Sequence, residues 1–94
     1  MVLSAQQKAW LEMNSDFIVS FDLHYHHLDD LESVVEKFLN DCFLDRHQNL
    51  SFVHGHGTGA LRNKLHKILD GHPLVKETWM GNNGGITYVI LDLY

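Results

Sequence analysis

Two kinds of apolar pattern alternate along the chain. FIVSFDL at 17–23 is dense in β-branched and aromatic residues, which predicts a largely buried strand. Leu28, Leu31, Val34, Val35, Phe38, Leu39 and Cys42 then recur at spacings of three and four, one apolar stripe along a helix. Asp29 and Asp30 stand at its start, where the helix dipole favours negative charge. LDRHQN at 44–49 is polar and reads as a connection, and LSFVH at 50–54 reads as a second, short strand. Beyond a glycine-rich run, Leu61, Leu65, Ile68 and Leu69 mark a second helix, with Gly71 and Pro73 as its stop signals. VKETW at 75–79 alternates as a third strand does, GNNGG at 81–85 is a turn, and ITYVIL at 86–91 is a fourth strand.

The order is therefore βαβαββ. It predicts an α/β fold of the α+β two-layer kind, a mixed sheet with both helices packed on it and right-handed crossovers between parallel neighbours. Residues 17–94 form a single domain by this reading. Residues 1–16 are an N-terminal arm in which Trp10, Leu11 and Met13 suit a short packing helix.

Composition narrows the class. The chain has 94 residues, 45% of them hydrophobic, which is globular but leaves little spare stability. Its apolar runs fall far short of the ~20 residues of a membrane span, so no membrane partner is expected. MVLSAQQKAW lacks the features of a signal peptide. Cys42 is the single cysteine, has no internal disulfide partner, and sits where a buried thiol is expected. A cytoplasmic location fits these features.

The net charge of −5 opposes a polyanionic partner, but its distribution matters. Asp16, Asp22, Asp29, Asp30, Glu32, Glu36, Asp41 and Asp45 face only Lys37 over 16–45, a solvated helix face in the simplest reading. Over 54–77, Arg62, Lys64, Lys67 and Lys76 outnumber Asp70 and Glu77, and four histidines join them. Such polarity can orient a protein on an anion.

The chemistry centres on HGHGTGALR at 54–62, which follows a strand and opens a helix. Glycine allows positive φ and close backbone approach. The first-turn N–H groups and the helix dipole suit an anion, with Arg62 and Lys64 near enough to add charge. Gly55, Gly57 and Gly59 form GxGxG, which is neither the dinucleotide GxGxxG nor a P-loop. This spacing suits a phosphate cradle and a structural turn equally.

DLHYHH at 22–27 is the second constellation. Asp22 and His24 share a face of an extended chain. If the first two strands are parallel neighbours, Asp22, His24 and His54 converge at the carboxyl edge of the sheet, beside the glycine loop. A carboxylate can orient a histidine for acid–base work, or the same atoms can hold a metal. A zinc site needs about four ligands, and the lone cysteine lies away from the histidines. His26 and His27 read as loop surface, Asp22 as an alternative turn cap, and Trp79 and Met80 as packing.

FDLH at 21–24, a helix, FVHGHGTGALR at 52–62 and GNNGGITYVIL at 81–91 together resemble the Smr (small MutS-related) domain over about residues 17–92. The resemblance implies a four-stranded sheet with two helices on one face, like the carboxyl-terminal domain of translation initiation factor three. It implies an endonuclease acting on RNA or DNA, since members nick DNA or cleave RNA and some act on stalled ribosomes. A link to DNA repair or recombination follows from the same family. The implied partners are nucleic acid and the ribosome, for a monomeric isolated domain.

The family's LDxH motif falls on Phe21, Asp22, Leu23 and His24, and its HGxGxG motif on His54, Gly55, His56, Gly57, Thr58 and Gly59. The implied catalytic residues are Asp22, which would orient His24 or help place a water, and His24 or His54, which would handle the proton; the glycine loop, Arg62 and Lys64 would bind phosphate. RNA cleavage through the substrate's own 2′-hydroxyl needs no metal. DNA hydrolysis makes a divalent ion such as magnesium or manganese at Asp22 attractive. Phe21 replaces the motif's leucine, and His56 stands where the family often has lysine. His56 removes a fixed charge and offers a titratable one, so affinity should rise as pH falls toward ~6 if it touches the phosphate. The alternative is a non-catalytic module that binds nucleic acid or the ribosome.

Overall fold

The computed structural model describes residues 3–81 and 84–93. Four strands form one mixed sheet: β1 (Val19–Asp22), β2 (Asn49–Val53), β3 (Val75–Met80) and β4 (Ile86–Leu91). Their spatial order is β1-β2-β4-β3. β1 and β2 are parallel, and β4 runs antiparallel to both β2 and β3. Parallel neighbours need a long connection, and helix α2 (Leu31–Leu44) supplies it. Helix α3 (Ala60–Leu69) carries the chain from β2 to β3 on the far side of the sheet's centre. The β3–β4 turn closes through the Gly81 N–H, which donates to the Ile86 carbonyl at 2.9 Å. Asn82 and Asn83 of the predicted turn lie outside the described residues.

Periodicity decides what is buried. Leu31, Val35, Leu39 and Cys42 of α2 and Leu65 and Leu69 of α3 meet Leu50, Phe52, Val89 and Leu91 of the two central strands. Phe21 pairs with Phe52 across β1–β2, and its ring lies 4.7 Å from that of Phe38, which meets Phe52 at 5.3 Å. The extra volume of Phe21 at the motif's leucine position is thus taken up by an aromatic cluster. Cys42 is buried, and desolvation, with Asp41 and Asp45 nearby, pushes its thiol up to about 11.

Helix α1 (Ala5–Met13) adds a third helix to the two expected on the sheet. A capping box starts it: Ser4 Oγ accepts from the Gln7 N–H, and Gln7 Oε1 accepts from the Ser4 N–H. It packs on the opposite face. Tyr88 alternates with Thr87 and Val89, so it and its strand partner Trp79 face away from α2 and α3. Their rings stack at 5.4 Å. Lys8 pairs with Glu77 at 2.7 Å, and Trp79 Nε1–H donates to Glu12 at 3.4 Å.

The remaining differences from the sequence pattern are at element ends. The first strand begins at Val19 because Ser15–Phe17 form a tight helical turn, which leaves Phe17 exposed beside Trp10. The long helix begins at Leu31 after a separate turn over Leu28–Asp30, so Leu28 is off the buried stripe. No helix among the described residues is long and apolar enough to cross a membrane.

Phe52 is fully buried, so Phe52→Ala should cost about 3–5 kcal/mol. Leu44→Ala, at a 76% exposed position, should change stability by about 0.5 kcal/mol or less. Urea melts of the two variants, with m held constant, check this contrast.

Candidate functional site

Because β1 and β2 are parallel, their carboxyl ends reach the same edge, with Asp22 opposite Val53. The next residue stays in register, since the Leu23 N–H donates to the Val53 carbonyl at 2.8 Å and its side chain is fully buried. Leu23 buried leaves its neighbours Asp22 and His24 turned outward. Asp22 Oδ1 accepts from the His24 backbone N–H at 2.9 Å and from its ring Nδ1 at 2.8 Å. A carboxylate only accepts here, so Nδ1 carries the proton and Nε2 is left as a base. The backbone N–H of His24 holds the Asp22 carboxyl below its ordinary range. Slight desolvation opposes this, and the His24 ring reinforces it.

The glycine loop starts where β2 ends. The backbone N–H groups of His54 and Gly55 both donate to the Gly85 carbonyl at 3.0 Å, which ties the loop to the start of β4. Gly55 has φ +74°, and a Cβ there would lie 2.2 Å from His24 Nε2. Glycine is therefore required twice over, by backbone conformation and by the imidazole beside it. Gly59 precedes α3 at φ +82°, and the Arg62 guanidinium folds back over it, 2.7 Å from where a Cβ would be. Thr58 Oγ1 accepts from the Ala60 N–H at 3.3 Å at the mouth of the helix.

Between this loop and the segment before α2 lies a groove of ≈ 530 Å³. His26, His27, Leu28 and Asp29 line one side, and His54, Gly55 and residues 57–62 line the other. The predicted residues thus divide. Gly55, Gly57, Thr58, Gly59 and Arg62 meet in the groove, while Asp22 and His24 stand at its Gly55 rim. His56 lies against Gly84 and Gly85, where a Cβ at Gly85 would sit 3.0 Å from its ring, and is absent from the groove lining. Lys64 Nζ donates to the Leu28 carbonyl and so clamps α3 to the turn before α2. Arg62 is the one fixed cation lining the groove among the described residues.

His26 and His27, read from sequence as loop surface, and Asp29, read as a charge favoured by the helix dipole, line the groove as well. The available signal was their place just past the carboxyl end of β1, on the edge that the glycine loop shares.

His54 differs from His24. It is buried, with Nδ1 at 3.0 Å from the Gly55 carbonyl and Nε2 at 2.8 Å from Thr87 Oγ1. The sequence reading grouped it with His24 for proton transfer, but both of its nitrogens are committed inside the protein. His66 Nε2 reaches the same Thr87 hydroxyl at 2.9 Å. Burial pushes both imidazoles below their ordinary range. For His54 the Gly55 carbonyl opposes the shift, while Arg62, His24 and His56 reinforce it. For His66, His54 and Arg62 reinforce it. Among the described residues, no three of His, Cys, Asp and Glu converge as a metal site. A cation at Asp22 would draw its other ligands from substrate phosphate and water.

The model of the Smr domain matches residues 21–92. The chain belongs to the Smr domain family. It is 39% identical over 82 residues to endonuclease MutS2 of Bacillus velezensis, covering 81% of this chain and 10% of that one. With endonuclease MutS2 of Brevibacillus brevis it shares 34% over 77 residues, 80% of this chain and 10% of the relative. The Smr domain here thus spans about a tenth of the length of these relatives. The Smr domain of Thermus thermophilus MutS2 superposes with a TM-score of 0.74 at 26% identity, covering 79% of this chain and 98% of that one. YdaL of Escherichia coli, a stand-alone small MutS-related protein, shares the fold, with a TM-score of 0.75 at 18% identity over 97% and 80% of the two chains.

Two outcomes are expected of this Smr domain. Gly55→Ala should displace the His24 ring, visible as a change in the His24 imidazole NMR signals, in a protein that still folds. Stability should also fall on mild acidification. His54 and His66 titrate lower in the folded chain than in the unfolded one, so as pH drops the unfolded chain takes up protons first. Stability is complete above ~6.5, the unfolded value, and declines below it. Urea midpoints between pH 7.5 and 5 measure the slope. The lowered carboxyl of Asp22 acts only at more acidic pH, outside that window.

Proposed function

We propose that this Smr domain is an endonuclease that cleaves RNA, with His24 as the base and the groove of the glycine loop as the phosphate site. The observation that carries the reading is the Asp22–His24 pair set against Gly55. Its proton-bearing Nδ1 faces the carboxylate, and Nε2 faces the loop that opens α3. A phosphate seated at the start of α3 would meet first-turn N–H groups and Arg62. The strand on either side of it would pass the Gly55 rim.

In this scheme His24 Nε2 takes the proton of the 2′-hydroxyl, and the 2′-oxygen attacks the adjacent phosphorus. The P–O5′ bond breaks, leaving a 2′,3′-cyclic phosphate, and the departing 5′-oxygen takes a proton from water to become a hydroxyl, the hydroxide so formed being neutralised by the proton that His24 took up. Asp22 fixes the tautomer and steadies the imidazolium. His54 holds the loop instead of moving the proton. The word endonuclease in the names of the MutS2 relatives points the same way.

A second reading, a binding module without chemistry, draws on the single fixed cation lining the groove and the net charge of −5. The two separate in one experiment. Labelled RNA is incubated with wild type, Asp22→Asn and His24→Ala. Each variant should lose on the order of 10²-fold or more in cleavage rate while its circular dichroism stays native. RNA carrying a single 2′-deoxy substitution should resist cleavage at that position. Full cleavage by a folded His24→Ala removes His24 from the chemistry. Salt-dependent binding by wild type with no cleavage establishes the second reading.

A further inference from the structure

The groove and the Asp22–His24 pair leave one polar feature of the interior unexplained. His54, Thr87 and His66 come from three elements: the end of β2, the core-facing side of β4, and α3. Thr87 is fully buried and His54 nearly so, in a layer otherwise filled by Leu65, Val89 and Leu91. Apolar residues would fill this volume at lower desolvation cost, so three polar groups held together here need a reason.

The polarity of the string can be worked out from one end. The Gly55 carbonyl can only accept, so His54 Nδ1 must bear a hydrogen. A neutral imidazole then has a bare Nε2, so the Thr87 hydroxyl must donate to it. With its one hydrogen spent, Thr87 Oγ1 must accept from His66 Nε2–H. Each link has one possible direction. The string runs from His66 through Thr87 and His54 to the carbonyl of Gly55, the residue whose positive φ sets the path of the loop.

We infer that His66 and Thr87 are positioning residues for the glycine loop. Through this directed string they hold His54 as its Nδ1–H tautomer, and that tautomer holds the Gly55 carbonyl turned inward. The other tautomer would set a bare Nδ1 against the carbonyl oxygen, a repulsive pairing of two acceptors. The loop would then lose the bond that orients Gly55 beside His24. The consequence for nucleic acid rests on the reading of the groove as a phosphate site, whereas the tautomer and the loop geometry do not.

The test uses Thr87→Val, which keeps the shape and removes the hydroxyl, and Thr87→Ser, which restores it. Nitrogen-15 spectra of the histidine rings report the tautomer of His54, and amide spectra report Gly55 and Gly57. Binding of a short single-stranded RNA reports the groove. Thr87→Val should move His54 out of the pure Nδ1–H form, shift the two glycine amides and weaken RNA binding on the order of tenfold or more. Thr87→Ser should restore all three.

If Thr87→Val fails to fold, His66→Leu and His66→Gln take its place, because glutamine carries an N–H donor where His66 Nε2 stands and leucine carries none. A folded Thr87→Val, or the His66→Leu that replaces it, that keeps the pure Nδ1–H form overturns the inference, as does a lost tautomer with unmoved glycine amides or, where wild type binds RNA, with undiminished binding. Wild type that binds no RNA defeats the proposed function instead, and the ring and amide spectra then decide the positioning role by themselves.

Discussion

The parallel pairing of β1 and β2 is the constraint on which the rest depends. It sends two strand ends to one edge, and it obliges the chain to spend α2 on getting back. Everything with chemical potential follows from that return. Asp22 and His24 leave the end of β1, and the glycine loop leaves the end of β2. Leu23 makes the arrangement exact at one residue, because its buried side chain and its bond to Val53 force its two neighbours outward. An antiparallel pair would have placed DLHYHH and HGHGTGALR at opposite ends of the sheet.

Close approach is the second constraint, and it explains the loop's composition better than flexibility does. Gly55 and Gly59 both adopt positive φ, and both sit under a side chain of the candidate site, His24 in one case and Arg62 in the other. Gly57 has open space where its Cβ would be. The glycines of the motif are therefore not equivalent. Two of them make room for the His24 imidazole and the Arg62 guanidinium, and the path of the backbone between them sets the shape of the groove.

Legibility from sequence tracked how local the signal was. The stripe from Leu31 to Cys42 is read correctly because burial at 3.6-residue spacing is written in the residues themselves. The start of that helix is misread at Leu28, since an apolar residue in a preceding turn fits the same spacing. Phe17 looks like strand for the same reason, yet its ring packs on Trp10 outside the sheet. The edge shared by Asp22, His24 and His54 is deducible from βαβ order. The use of His54 is not, because a residue's type says nothing about which of its nitrogens meets Thr87. Thr87 itself hides in ITYVIL, where β-branched threonine passes as ordinary strand composition.

Charge bears most directly on how this chain could hold a phosphate. A phosphate site on a protein of net charge −5 must rely on local donors more than on long-range attraction. Lys64 spends its ammonium on the Leu28 carbonyl, and His56 rests against Gly84 and Gly85, so Arg62 and the start of α3 carry the attraction in the groove. Asp29 on the opposite wall carries the opposite charge and works against them. Under the proposed function, ribose hydroxyls and exocyclic amines would bring hydrogen-bond donors to Asp29 while the phosphate meets Arg62 and the start of α3.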